Sequence, residues 1–341
     1  MPTSGGLGIW LGLVFPFIVG QTLLAWIVWG NSGSFDGTSP ATGLASLLPE
    51  SVLIHLPGIW ERSGQLWVLL GSATVLMLLG LTDDRRGLDW KIRIAVQTLV
   101  AIVTVAAGFR MSIYVDLPWA TSVLSVIWIV GLVNTFNMLD NMDGLSAGTA
   151  AIGAAMLAAV MFITEGPETG GPQLFVGSFL LMYVGALLGF LLHNRPPARL
   201  FMGDAGSYFT GYILAASTLA ATFSGTSLPR HAILAPLCIL AVPLYDTVTV
   251  VFIRLKNGKS PFEGDNNHFS HRLVDLGLSK PQAVATIYLA TATCGLGALL
   301  LHQVNAFGAI IILLIVACVL VLIAILESVA RREIKKRDDE S

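Results

Sequence analysis

Four polar stretches carry most of the residues in this sequence that could do chemistry. The first, 80-GLTDDRRGLDWKIRIAVQ-97, holds the adjacent pair Asp83 and Asp84, followed by Lys91. The second, 134-NTFNMLDNMDGLSAG-148, holds Asn134, Asn137, Asp140 and Asp143. The third, 194-NRPPARLFMGDAGSYFTG-211, holds Arg199 and, between Gly203 and Ala205, Asp204. The fourth, 260-SPFEGDNNHFSHRL-273, holds Asp265, His268, His271 and Arg272. Carboxylates gathered in one place repel unless a cation sits among them. Hard oxygen ligands suit Mg2+, with Mn2+ as a substitute, and Mg2+ characteristically takes one or two carboxylates plus phosphate oxygens of a substrate. Lys91, Arg272 and the histidines would meet the remaining phosphate charge. These parts fit a metal-assisted phosphoryl or pyrophosphate reaction.

Each stretch also has a plain structural reading. Asp-Asp-Arg-Arg serves as a solvated loop, amides cap helix ends, Gly-Asp-Ala-Gly-Ser makes a turn and an N-cap, and polar loops often hold histidines. The functional reading rests on whether the four stretches meet, and that depends on the elements between them.

Those elements are apolar. Of the 341 residues, 55% are hydrophobic and only 12% charged, with a mean hydropathy of +0.76. A soluble chain of this length carries about twice that charged fraction. Runs of the length needed to cross a bilayer occur at 7–29, 66–82, 92–108, 120–137, 145–164, 174–193, 206–222, 231–253, 282–302 and 304–327. The segment 41–60, which holds Pro49, Glu50, His55 and Pro57, is an eleventh span, a re-entrant helix or a surface helix. The reading is therefore an all-α, multi-pass membrane protein of 10–11 transmembrane helices. The first run has no basic residues before it and reads as a retained helix rather than a removed signal peptide. Cys238, Cys294 and Cys318 all fall in apolar runs and read as small core residues.

Basic residues collect in cytoplasmic loops. All but Arg62, Arg110 and Arg230 of the 19 Lys and Arg lie in or beside three of the polar stretches or in the tail. An even number of spans separates each polar stretch from the next and from the tail. All four stretches and the carboxyl terminus therefore share one face, expected to be cytoplasmic, while the side of the amino terminus depends on 41–60. Nothing interleaves aromatic with basic residues, and a net charge of −2 adds no case for nucleic acid. Asp246 stands apart in 241-AVPLYDTVTVVFIR-254. A carboxylate within a span defaults to a functional or pairing role, and it is expected to support the site from below.

The four stretches, in this order and with PLYDTVTVVFIRLKNGKSPFEGDNNHFSHRL around the last, resemble the polyprenyl-phosphate N-acetylhexosamine-1-phosphate transferases. That group includes phospho-N-acetylmuramoyl-pentapeptide transferase and the bacterial undecaprenyl-phosphate N-acetylglucosamine-1-phosphate transferases. The resemblance covers roughly 66–281 and, by topology, the last two helices. It implies a Mg2+ enzyme of the inner membrane in which a polyprenyl phosphate attacks the β-phosphate of a UDP-N-acetylhexosamine and UMP leaves. It makes Asp204 and Asn137 metal ligands. Asp83, Asp84, Asp140 and Asp143 become the catalytic carboxylates, and Lys91, His268, His271 and Arg272 contact substrate; Asn134 and Arg199, read from the residues alone, are expected to contact it too. His-Phe-Ser-His-Arg-Leu is closer to the N-acetylglucosamine enzymes than to the muramoyl group, which has three successive histidines. Such an enzyme is one domain, 1–330, with a charged tail, 331–341, and primes envelope polysaccharide synthesis. The sequence leaves open a homodimer, an inactive relative that binds lipid phosphate or nucleotide, and a transporter, which would need polar groups at mid-membrane.

Two departures from the family pattern stand out. Asn141 replaces a glycine in the paired-Asp stretch. The family's basic loop after helix one is replaced by 30-GNSGSFDGTSPATGLASLLP-49, without one Lys, Arg or His. That change predicts weak UDP-sugar affinity unless Lys91, Arg199 or Arg272 supplies the contact.

Overall fold

The computed structural model describes residues 3–30, 63–111, 117–164, 172–221, 229–261 and 268–340, with a few isolated positions between them and without the side chains of 28–30, 327 and 330–340. A backbone in lipid must satisfy its hydrogen bonds internally, and every apolar run expected to span is helical. The helices are α1 (Gly5–Gly30), α2 (Ser63–Arg86), α3 (Trp90–Ala106), α4 (Pro118–Leu139), α5 (Leu145–Ile163), α6 (Leu174–Asn194) and α7 (Gly203–Ala220). A 3-10 turn (Arg230–Leu234) then leads into α8 (Ala235–Ile239), α9 (Ala241–Lys256), α10 (Phe269–Asp275), α11 (Lys280–Leu300) and α12 (Ala306–Glu340). The stretch read as a separate tail is, in its backbone, the continuation of α12.

Among the described residues seven helices, α1, α2, α4, α5, α6, α11 and α12, are long and apolar enough to cross a membrane unaided. The turn plus α8 and α9 make an eighth span, broken at Leu240 and bent by 67°. Pro243 has no N–H to give the carbonyl of Ile239, which interrupts the ladder there. The other two expected spans differ in kind. With 17 residues, α3 reaches about 26 Å.

The 18-residue α7 is the centre of the bundle. Every residue from Ala205 to Leu219 is buried, by packing against α1, α2, α4 and α5. Small residues let the neighbours close in. A methyl on Gly80 of α2 would lie 2.3 Å from the Asp204 carbonyl, and one on Gly211 would lie 2.4 Å from the Leu132 carbonyl of α4. Polar side chains bond across the same seams: Tyr212 to Thr104 of α3 at 2.8 Å, and Trp128 of α4 to Thr218 at 2.8 Å. The outer helices expose large apolar residues such as Phe307, Leu289 and Leu192, as lipid-facing surfaces do. Cys238 and Cys294 are core residues as expected, but Cys318 is exposed on α12.

The four polar stretches gather on one end of the bundle. The start of α1 is at that end too, with Gly5 N–H on the Phe201 carbonyl at 3.0 Å and Gly6 N–H on the Met202 carbonyl at 3.1 Å. From there α1 runs to the far face, where α2 begins. Segment 41–60 falls almost wholly outside the described residues, but the helices on either side of it end and start on the same face.

Candidate active site

The site is built on the amino end of α7. Gly203 enters the helix at φ 67°, a conformation open to glycine, and a side chain there would strike Asp84 at 2.6 Å. Asp84, in the last turn of α2, caps α7: its carboxylate accepts from the N–H of Asp204 at 3.0 Å and of Ala205 at 3.2 Å. Asn137, at the end of α4, donates from Nδ2 to Asp204 Oδ1 at 2.6 Å and to Ser207 Oγ at 3.1 Å. Three of the four polar stretches thus meet at Asp204.

Asp83 points elsewhere. Buried, it accepts from Leu88 N–H at 2.7 Å, Tyr208 OH at 2.8 Å and Arg93 Nη1 at 3.1 Å. It ties the α2–α3 turn to α7, while Asp84 faces the carboxylates. Asp140, just past α4, has its carboxyl raised to about 7, chiefly by loss of water and then by the charges of Asp204 and Asp84, with a smaller push from Asp143. Asp143 accepts from Ala198 N–H at 3.0 Å. Asn194 accepts from Gly144 N–H at 2.9 Å and donates to the Leu200 carbonyl at 2.8 Å. These bonds lace the second and third polar stretches together.

The fourth stretch approaches through α10. Asp246 accepts from Phe269 N–H at 2.7 Å and faces His268 Nδ1 at 3.0 Å, with Arg272 Nη2 at 3.8 Å. All four of these residues are at most 5% exposed. The support from below expected of Asp246 is directed at this helix. His271 is half-buried, its ring 6.5 Å from that of His268. Asp265 lies outside the described residues.

Three expected substrate contacts sit apart from this cluster. Asn134 is turned between helices, its Nδ2 donating to Gln97 Oε1 at 2.7 Å. Lys91 is exposed, with its ammonium 5.8 Å above the Trp90 ring. Arg199 is exposed on a pocket of about 340 Å3 that it shares with His193 and Arg195.

The loop whose lack of basic residues predicts weak nucleotide-sugar affinity lies, from 31 to 48, outside the described residues. The far end of α1 is remote from the site, but its start is not. What adjoins the site is Thr3–Gly6, where a methyl on Gly6 would lie 2.3 Å from Gly206 N.

A divalent cation fits this site. Asp84, Asp140, Asp143 and Asp204 crowd closely enough to raise the Asp140 carboxyl, and the cationic partner nearby, Arg93, is spent on Asp83. Among the described residues no three acidic, histidine or cysteine side chains form a metal cage by themselves.

Residues 66–222 match the model of glycosyl transferase family 4. Over 290 residues the chain is 31% identical to the probable undecaprenyl-phosphate N-acetylglucosaminyl 1-phosphate transferase of Bacillus subtilis (strain 168), covering 83% of this chain and 78% of that protein. The chain belongs to glycosyl transferase family 4. It is also 32% identical, over 290 residues, to the decaprenyl-phosphate N-acetylglucosaminephosphotransferase of Mycolicibacterium smegmatis, covering 79% of this chain and 70% of that one. With the undecaprenyl-phosphate alpha-N-acetylglucosaminyl 1-phosphate transferase of Escherichia coli (strain K12) the identity is 30% over 236 residues, 65% and 62% of the two chains. The matched span of this family 4 chain ends just past α7, so it contains the whole carboxylate cluster.

Sequence reasoning missed Arg93 and Tyr208, the partners of Asp83. Arg93 was legible only as one more basic residue near a loop, and Tyr208 only as part of an apolar run, because they lie 10 and 125 positions from Asp83.

Proposed function

We propose that this protein transfers N-acetylhexosamine-1-phosphate, N-acetylglucosamine-1-phosphate in the first instance, from a UDP-sugar to undecaprenyl or another polyprenyl phosphate. An oxygen of the lipid phosphate attacks the phosphorus that bears the sugar. The bond from that phosphorus to the bridging oxygen breaks, and UMP leaves with the electron pair. The observation that carries the reading is the convergence of Asp84, Asp140, Asp143 and Asp204 from three separate stretches onto the amino end of α7. Names of relatives that act on undecaprenyl and decaprenyl phosphate support the lipid acceptor.

In this reading Asp204 and Asn137 hold Mg2+, with Mn2+ as a substitute. The ion supplies neutralisation of charge on the transferred phosphate. Asp84 keeps the α7 backbone, and hence Asp204, in register. Asp140 and Asp143 line the acidic side of the site, Arg272 supplies positive charge to the substrate's diphosphate, and His271, whose pKa burial lowers, offers it a neutral hydrogen-bonding ring. The bent α9, which exposes Val248, Phe252 and Leu255, offers an apolar flank to a prenyl chain. The face carrying the site is cytoplasmic, in the inner membrane, in keeping with its basic loops. Asp246, the sole carboxylate that favoured a transporter, is taken up by His268 and the amino end of α10.

The test offers purified protein Mg2+, undecaprenyl phosphate and a panel of UDP-sugars, and measures UMP. Release that requires both lipid phosphate and UDP-N-acetylglucosamine is the expected result. No release with any UDP-sugar, from protein whose helices and thermal transition are intact, would reject the proposal.

A further inference from the structure

Asn141 does two things that the family's glycine cannot. Its Nδ2 donates to the Met138 carbonyl at 2.9 Å, closing the end of α4, and its Oδ1 accepts from Ser270 Oγ at 2.6 Å. Ser270 is 1% exposed and lies in the first turn of α10. That helix has only seven residues, too few to hold its own shape without tertiary support. The aim of His271 and Arg272 therefore depends on what grips that first turn. Asp246 grips it from α9, at His268 and Phe269. Phe269 and Leu273 seat it in the core beside α11 and α12, but neither these contacts nor Asp246 ties it to the carboxylate loop.

We propose that Asn141 and Ser270 form a second grip, a clamp that fixes α10 against the carboxylate loop. Asn141 is then a positioning residue for His271 and Arg272 in sugar-phosphate transfer, which rests on the function proposed above. Asn141 follows Asp140 directly and stands two residues before Asp143. The clamp thus sets the distance between the acidic loop and the basic helix, the gap that a diphosphate has to bridge. In a relative with glycine at this position, Asp246 alone or some other contact has to do that.

The test uses the full chain in lipid nanodiscs, with two readouts. One is transfer from UDP-N-acetylglucosamine to undecaprenyl phosphate. The other is hydrogen–deuterium exchange over 268–275 without substrate. Asn141→Gly and Ser270→Ala are each expected to lower kcat about fivefold to tenfold, the worth of one ordinary hydrogen bond, with the KM for lipid little changed. Each should also speed exchange in α10, whereas Asn141→Asp, which keeps the acceptor, should preserve its protection. The double variant should be no worse than Asn141→Gly alone, because Ser270→Ala removes only a bond that Asn141→Gly already removes. Multiplied losses in the double variant, or unaltered exchange in Asn141→Gly, would overturn the clamp. Faster exchange in Asn141→Gly of a chain that transfers no sugar phosphate would uphold the clamp and sink the function it was tied to.

Discussion

Asp83 and Asp84 are neighbours in sequence with different work. Successive helical residues point about 100° apart; here one carboxylate holds Arg93 and Tyr208 and the other caps α7. Asp83→Asn leaves Arg93 short of its counter-charge and should cost about 2 kcal/mol, read as a lower thermal transition. Asp84→Asn should cost less stability and far more activity. Equal modest losses in both would mean that neither assignment holds. Asp204→Asn should nearly abolish transfer in protein that still folds; ordinary turnover at ordinary Mg2+ would remove Asp204 from the mechanism. The raised carboxyl of Asp140 gives a stability prediction. Its folded value, about 7, exceeds its ordinary 3.8, so its contribution is present below about pH 4 and lost as pH rises through 7. A divalent cation among Asp84, Asp140, Asp143 and Asp204 should offset that loss. Mg2+ should therefore raise the thermal midpoint more at pH 8 than at pH 5.5, and an equal gain at both would deny a metal at this cluster. The sequence disclosed the acidic members of this site, because carboxylates in an apolar chain stand out. It did not disclose which face each takes, since Arg93 and Tyr208 reach Asp83 only through the fold.

At the level of elements, α7 is the helix that α1, α2, α4, α5 and α6 are arranged around. Its composition resembles that of its neighbours, so the apolar pattern predicted a span without saying that protein rather than lipid surrounds it. The signal lay in small residues of other helices. Gly80→Ala should push α2 off the start of α7, since its methyl would meet backbone at 2.3 Å. Overpacking of this kind costs about 1–3 kcal/mol and should displace Asp204, lowering both the thermal transition and turnover. Gly71→Ala on the same helix, where nothing lies within 4 Å, is the control and should change neither. The ten helical runs were legible because apolar length alone identifies them. The 67° bend was not, although Pro243 was in plain view, because proline near a helix start is equally compatible with a straight one.

For the molecule as a whole, the decisive feature is the direction of α1. The parity of spans placed the polar loops together, but the amino terminus was tied to a segment whose role stayed open. Hydrogen bonds from Gly5 and Gly6 to the 201–202 backbone put it with the loops. In a chain cleared of native cysteines, Ser4→Cys and Lys280→Cys should react with an impermeant maleimide from one side of the membrane, and Asn305→Cys from the other. Ser4→Cys and Asn305→Cys labelled from the same side would contradict this arrangement. The two ends of the chain are consequently unequal places to attach anything. A purification tag or fluorescent protein joined ahead of Thr3 would be delivered beside the carboxylates and would compete for space with nucleotide and lipid, whereas the same cargo carried at the end of α12 would not.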